Sequence, residues 1–154
     1  MYKRQLQTRA AELHADDRSL DAARLRAMVF THRDWLAVTN RRELHRHGWR
    51  QLFAAFDAVV CPITPTPAFP HDHNPDLLER RIDIDGGAYP YFDQLVWAGL
   101  ATMPGLPATA IPTGLSTAGL PVGVQLIGPM FEDRTPLRLA ELLEQKIGGF
   151  RPPR

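Results

Sequence analysis

With 154 residues, 44% hydrophobic and 23% charged, the chain has the composition of a globular protein of one domain, which excludes a wholly disordered or low-complexity segment. The formal net charge of +1 is unevenly spread, with 11 Lys and Arg against 6 Asp and Glu in residues 1–56 and 7 against 11 in the rest. So mild a split does not call for a nucleic acid, and complementary faces of one folded unit account for it. A single cysteine, Cys61, excludes an internal disulfide and fits a reducing compartment; set in an apolar run, it reads as a buried core thiol.

Met1-Tyr2-Lys3-Arg4 leads into polar, helix-forming sequence with no apolar core of a signal peptide behind it. The most apolar stretch, Leu95 to Pro112, is broken by Pro104 and Pro107, which would strand backbone groups in lipid. Neither a targeting segment nor a membrane span is expected, and the expected location is the cytoplasm.

Residues 2–56 read as helices. Tyr2 to His14 is the first; Asp16-Asp17-Arg18-Ser19 supplies a turn and an N-cap before a second from Leu20 to Phe30. Thr31 with Asp34 three residues on forms a capping box. Behind it Trp35, Val38, Leu52, Phe53 and Phe56, with Trp49, fall near helical spacing and predict an apolar face that must be covered. The cluster Arg41, Arg42, His45, Arg46, His47 and Arg50 has two readings, a phosphate-binding face or a solvated flank whose arginine stems cover apolar neighbours. The second is preferred because no aromatic interleaving supports nucleic-acid binding.

Ala58 to Cys61 is a short, β-branched apolar run, the pattern of a strand buried on both faces in a mixed or parallel sheet. Such a strand needs neighbours, yet the chain offers about three strands in all, so an incomplete sheet is expected. Pro62, Pro65 and Pro67 then take the chain out of the sheet in an extended segment. His71-Asp72-His73, with His45 and His47, invites a metal reading, but no third or fourth ligand stands at a recurring spacing. No metal and no cofactor are expected, and His71 and His73 read as loop hydrogen-bonding residues. Asp76 to Ile84 reads as a surface excursion and Asp85-Gly86-Gly87 as a turn.

Pro90 fits the first turn of a helix with Phe92, Leu95, Val96, Gly99 and Leu100 as its apolar stripe; Trp97 lies off that stripe. Ala108 to Ile111 and Val122 to Ile127 read as short strands joined through a turn at Ser116 to Gly119. Gly123 inside the second marks either a crowded packing surface or a plain hairpin with a weak bulge. Thr135 or Asp133 then caps a final helix, with Pro136 in its first turn, Leu139, Ala140, Leu143 and Ile147 as its stripe, and Gly148-Gly149 as its stop.

Several blocks in order give the chain a family likeness. Trp97-Ala98-Gly99-Leu100-Ala101-Thr102, Gly105-Leu106-Pro107-Ala108-Thr109, Gly119-Leu120-Pro121-Val122-Gly123-Val124-Gln125, Gly128-Pro129 and Glu132-Asp133-Arg134-Thr135 come after an upstream block. That block is Phe56-Asp57-Ala58-Val59-Val60-Cys61-Pro62 with Thr64-Pro65-Thr66-Pro67-Ala68-Phe69. Together they resemble the C-terminal third of amidase-signature hydrolases; residues 50–150 carry the likeness well and the N-terminal helices loosely. The resemblance implies an α/β fold, the C-terminal part of a mixed sheet flanked by helices with a helical N-terminal section. It also implies a single partial domain over 1–154, with a helical section 1–56 and the strand, loop, helix, hairpin and helix of the family fold over 57–150.

The chain departs from that family in its chemistry. Amidase-signature enzymes use a serine nucleophile activated through a second serine and a lysine, the serines lying in a Gly-Gly-Ser-Ser-Gly segment N-terminal to the part matched here. This sequence holds two serines, Ser19 and Ser116, and two lysines, Lys3 and Lys146, none in a glycine-rich loop. A hydroxyl without a base and oxyanion donors is a poor nucleophile, so no catalytic residue is assigned. The expectation is a C-terminal piece of a longer enzyme, or a frame beginning at an internal methionine, that cleaves carbon–nitrogen amide bonds once the catalytic portion is supplied. By the resemblance Thr64, Pro65 and Thr66 line the acyl-side pocket and Trp97 borders a substrate channel; a structural loop and a core aromatic are the alternatives. The implied partners are a small amide substrate, the missing N-terminal catalytic portion and, by default, a second copy in a homodimer. Two other readings are a noncatalytic module binding a partner through the hairpin and apolar faces, and an enzyme working through His71, Asp72 and Asp93.

Overall fold

The structure is a computed structural model that describes residues 2–17, 19–150 and 152, with the side chain of Lys3 outside the described part. The chain forms two compact units, Met1–Arg42 and Glu43–Arg154.

In the first unit, α1 (Tyr2–Ala11) packs against α2 (Leu20–Met28), and α3 (His32–Phe53) begins. Ser19 caps α2: its hydroxyl accepts from the Ala22 N–H at 3.2 Å, and its own N–H donates to Asp17 Oδ1 at 2.8 Å. Those bonds to Ser19 hold the Asp17 carboxyl below the ordinary carboxylate range. The α1–α2 connection is clamped by Arg26, whose guanidinium donates to the carbonyls of Asp17 (2.6 Å) and His14 (2.8 Å). The segment before Ser19 is thereby turned, so α1 stops at Ala11 rather than His14. The capping box forms as read: Thr31 N–H donates to Asp34 Oδ2 at 2.9 Å, and Asp34 N–H donates to Thr31 Oγ1 at 3.2 Å. Asp34 is held below its ordinary range by these bonds. The predicted apolar face is not covered at this end, where Trp35 and Val38 are exposed.

The second unit carries the sheet. The strand β1 (Val59–Pro62) is followed by a hairpin of β2 (Arg81–Ile84) and β3 (Gly87–Pro90). Asp85 and Gly86 turn that hairpin with φ of 53° and 83°, the two left-handed residues a tight hairpin requires. A 3-10 turn (Tyr91–Leu95) leads into α4 (Val96–Thr102), then β4 (Ala108–Leu115), β5 (Pro121–Ile127) and α5 (Arg134–Ile147). The main sheet has the order β1-β5-β4, with both pairings antiparallel.

Register explains the layering. Val59, Cys61 and Ile127 share one face, with Val59 opposite Ile127; Cys61, Ile127 and Ala101 of α4 form a core cluster covered by Trp49 and Phe53 of α3, Trp97 and Leu106. The other face carries Leu126, Ile111 and Val60; Ile111 shares a cavity with Leu137 and Ala140 of α5, which packs along β4 and β5. Leu126 and Ile127 are both fully buried, each worth about 1.5–3 kcal/mol against exposure.

Several expectations change. Ala58–Cys61 reads in sequence as buried on both faces of a mixed or parallel sheet, but the strand is an antiparallel edge strand whose Val60 is 54% exposed. Residues 81–84 are not a plain excursion, because Ile82, 2% exposed, anchors β2. Pro90 closes β3 instead of opening a helix, and Leu95, Val96 and Leu100 of the predicted stripe are exposed while Ala101 and Trp97 face the core. Phe56 also lies outside the covered stripe. In α5 the reading holds for Leu139, Ala140 and Leu143, which are half-buried, and the helix ends at Gly148 with φ 85°.

Gly123 settles its two readings: a Cβ built there would lie 2.6 Å from the Ile111 carbonyl oxygen on β4. The backbones meet too closely for a side chain. Gly123→Ala is expected to destabilise the second unit by about 1–3 kcal/mol, read as a lowered urea midpoint with unchanged slope; an unchanged midpoint would show that β4 yields freely.

Candidate functional site

After β1 the prolines keep the chain extended, and it folds over the start of β5 to form a groove of about 480 Å³. Pro62, Thr64, Pro65, Thr66, Phe69 and Val122 are among its lining residues. Thr64 Oγ1 donates to the Thr66 carbonyl at 2.7 Å and so fixes the loop's bend. The Thr66 hydroxyl is buried without a hydrogen-bond partner among the described residues. The groove is therefore apolar, with an unengaged polar atom in its wall. Small-molecule sites commonly pair these features.

Trp97 does not line this groove; its side chain packs on the Cys61–Ala101–Ile127 cluster. Its backbone is nonetheless tied to the groove's origin. Gln125, 6% exposed at the middle of the central strand, donates from Nε2 to the carbonyls of Pro62 (3.0 Å) and Trp97 (2.8 Å). One amide group thus fixes both the end of β1 and the start of α4. The sequence reading passed over Gln125, although a lone amide among Val122, Val124, Leu126 and Ile127 is the available signal: a polar side chain in a buried strand needs partners. Cys61 lies beside it, and burial pushes the thiol above its ordinary range, against a smaller opposing pull from Gln125.

A second cleft of about 600 Å³ lies in the same unit, lined among others by Arg46, Trp49, Phe53, Leu106, Phe131 and Glu132. Arg46 Nε donates to the buried Pro104 carbonyl at 2.7 Å, and its guanidinium also pairs with Glu43. Phe131 adopts φ 66° and is 90% exposed.

The remaining candidates stand apart from both grooves. The rings of His71 and His73 stack at 5.9 Å; His71 and Asp72 are exposed, and Asp72 Oδ1 accepts from the Asn74 N–H. Neither these two nor Asp93 lines either groove. No group of three or more His, Cys, Asp or Glu that could hold a metal occurs among the described residues. The Ser19 hydroxyl serves as a helix cap and that of Ser116 accepts from Leu120 N–H in the β4–β5 turn. Lys146 is exposed on α5, and the side chain of Lys3 lies outside the described residues.

The order of these elements and the composition of the loop that leaves β1 match the family profile Amidase over residues 2–137, and the chain belongs to that family of amidase-signature hydrolases. It is 38% identical over 110 residues to the A subunit of glutamyl-tRNA(Gln) amidotransferase from Bartonella bacilliformis, covering 71% of this chain and 21% of that protein. The crystal structure of an amidase superposes with a TM-score of 0.65 at 23% identity, over 96% of this chain and 32% of the other. The A subunit of glutamyl-tRNA(Gln) amidotransferase from Thermotoga maritima gives 0.60 at 22% identity, over 96% and 32%. The likeness at these identities is one of fold. The chain spans about a fifth of the length of the curated relatives it matches. No helix among the described residues is long and apolar enough to cross a membrane.

Gln125 and Cys61 lead to two expected outcomes. Gln125→Leu leaves two buried carbonyls without their donor and is expected to cost more than about 2 kcal/mol, since each unsatisfied group costs about 1–3; urea unfolding would read it, and a loss below a few tenths would show that the carbonyls find other donors. With its pKa raised, Cys61 carries less thiolate at pH 8 than a free thiol. Its reaction with a disulfide reagent is therefore expected to run at least tenfold slower in the folded chain than in 6 M urea.

Proposed function

We propose that this chain is the C-terminal part of an amidase-signature hydrolase, and that it supplies scaffold and one wall of the site at which a carbon–nitrogen amide bond is cleaved through an acyl-serine intermediate. The observation that carries the reading is the family match over residues 2–137 in a sequence whose two serines serve as a helix cap and in a turn. Acyl transfer needs a nucleophile, a base to take its proton, and donors aimed at the oxyanion. On this reading those groups come from the portion of the relatives that lies outside the matched segment. Thr64, Pro65 and Thr66 line the substrate wall, the Thr66 hydroxyl being available to a polar atom of the substrate. Trp97 supports that wall from beneath through its carbonyl. The unpaired thiol of Cys61 suits the reducing cytoplasm, where we place the protein.

A noncatalytic binding module has less support: the large exposed apolar side chains are scattered over several elements, and the groove's polar atom suits a small ligand better than a flat interface.

The test is amide hydrolysis by the purified chain, alone and mixed with the remainder of the Bartonella bacilliformis amidotransferase polypeptide. Glutamine and a chromogenic anilide would serve as substrates. No turnover is expected from the chain alone. Turnover that survives Ser19→Ala and Ser116→Ala in the chain alone would overturn the reading and point to the histidine-bearing loop. In an active mixture, Thr66→Val is expected to lower kcat/KM about tenfold or more.

A further inference from the structure

We infer that the outer edge of β1 is the seam along which this sheet is continued, and that its occupant is a β-strand from the part of the amidase chain outside these 154 residues. The inference rests on the reading above and adds to it the place of joining.

The three-stranded sheet ends in two edges, β1 and β4, and they differ. The β4 edge is blunted: Pro112 has no N–H to offer, and the register slips between Pro112 and Gly114. Proline and bulges are what close a sheet edge to further pairing. The β1 strand, Val-Val-Cys-Pro, has neither charge nor bulge, and its proline stands at the last position. In an antiparallel pair alternate backbone groups point away from the partner strand. At least one N–H among Val59, Val60 and Cys61 therefore faces outward.

The helical cover differs in the same direction. On the α5 face, Ile111 of β4 is 9% exposed and Leu126 of β5 is 0%, but Val60, opposite Leu126 in the register, is 54% exposed. The layer that shields β4 and β5 stops short of β1. Open backbone and open apolar face thus coincide on one strand, as they do where a sheet has a further strand and a further covering element. The superposition points to the source: 96% of this chain aligns with the crystal structure of an amidase while covering 32% of it, so about two thirds of such a chain remains to be placed against this surface. A second copy would pair four residues with four and leave that remainder unaccounted for.

Hydrogen exchange tests the seam. Exchange at Val59, Val60 and Cys61 would be measured in the chain alone and in two assemblies: the chain mixed with the remainder of the Bartonella bacilliformis amidotransferase polypeptide, and a single-chain hybrid in which it replaces the matched segment. Slowing of at least tenfold at one or more of these amides is expected in both, with residues 108–115 unchanged. Val60→Asp is expected to abolish capture in the mixture, while Leu115→Asp at the end of β4 leaves it intact. Unchanged exchange at 59–61 in a folded hybrid, or slowing at 108–115 instead, would overturn the seam while leaving the hydrolase reading in place. A folded hybrid with protected β1 amides and no amide hydrolysis would keep the seam and defeat that reading. Concentration-dependent protection of 59–61 in the chain alone would make a second copy the occupant and overturn the proposal, as would a failure both to capture the remainder and to fold as a hybrid.

Discussion

The arrangement of the second unit depends on one buried amide. Gln125 sits at the centre of β5, and its Nε2 reaches the carbonyls of Pro62 and Trp97. Without it, burying the strand would leave both carbonyls dry, and an unpartnered buried polar group costs several times what an ordinary hydrogen bond contributes. The amide therefore selects the arrangement in which β1 ends at Pro62 and α4 starts against the sheet. Both anchor points position their neighbours: the groove loop departs from Pro62, and α4 brings Ala101 and Trp97 onto Cys61 and Ile127.

Backbone approach sets the second constraint. Gly123 lets β5 come against Ile111, and Gly128 lies where a Cβ would strike the ring of Pro136 at 2.5 Å. The two glycines bracket the most buried run of the chain, Gln125–Ile127. Close approach on one side draws β4 in, and on the other it seats the first turn of α5. The helix succeeds its strand after a short connection because Pro136, fully buried, fits directly over a residue without a side chain.

The parts legible in the sequence were those with local causes. The Ser19 cap, the Thr31–Asp34 box, the Asp85-Gly86 turn and the Gly148 stop are each determined by a few neighbouring residues, and all occur. The stripe of α5 was legible because one face of it meets the sheet. The stripe around residues 92–100 was not: a 3-10 turn up to Leu95 shifts the phase before α4 begins, so periodicity counted from Pro90 points the wrong side chains inward. The hairpin of β2 and β3 was hidden by charge, since Arg81 and Asp83 flank the one deeply buried residue, Ile82. Of the site, Thr64 to Thr66 were named through family resemblance and are found lining a groove, whereas Trp97 lies beneath it. The role of Gln125 depends on partners 63 and 28 residues away, a separation no local pattern encodes.

Family membership and chemical competence are separate properties here, and the physics of the site keeps them apart. A wall positions substrate by shape and by a few polar atoms, and it works when its residues are locked by packing; the groove meets that condition, with the loop bent by the Thr64 bond and its root held by Gln125. A nucleophile needs more, because its proton must have somewhere to go within hydrogen-bond reach. Ser19 and Ser116 spend their oxygen lone pairs as acceptors in a cap and a turn, arrangements that stabilise backbone and do nothing to raise the basicity of the hydroxyl. The same residue type can therefore serve structure in one part of a fold and reaction in another, and only the partner of the O–H distinguishes them. By that criterion the hydroxyl in this chain best placed to meet a ligand is that of Thr66: it is buried, lies in a concave wall, and has no partner among the described residues, which suits it to binding rather than attack.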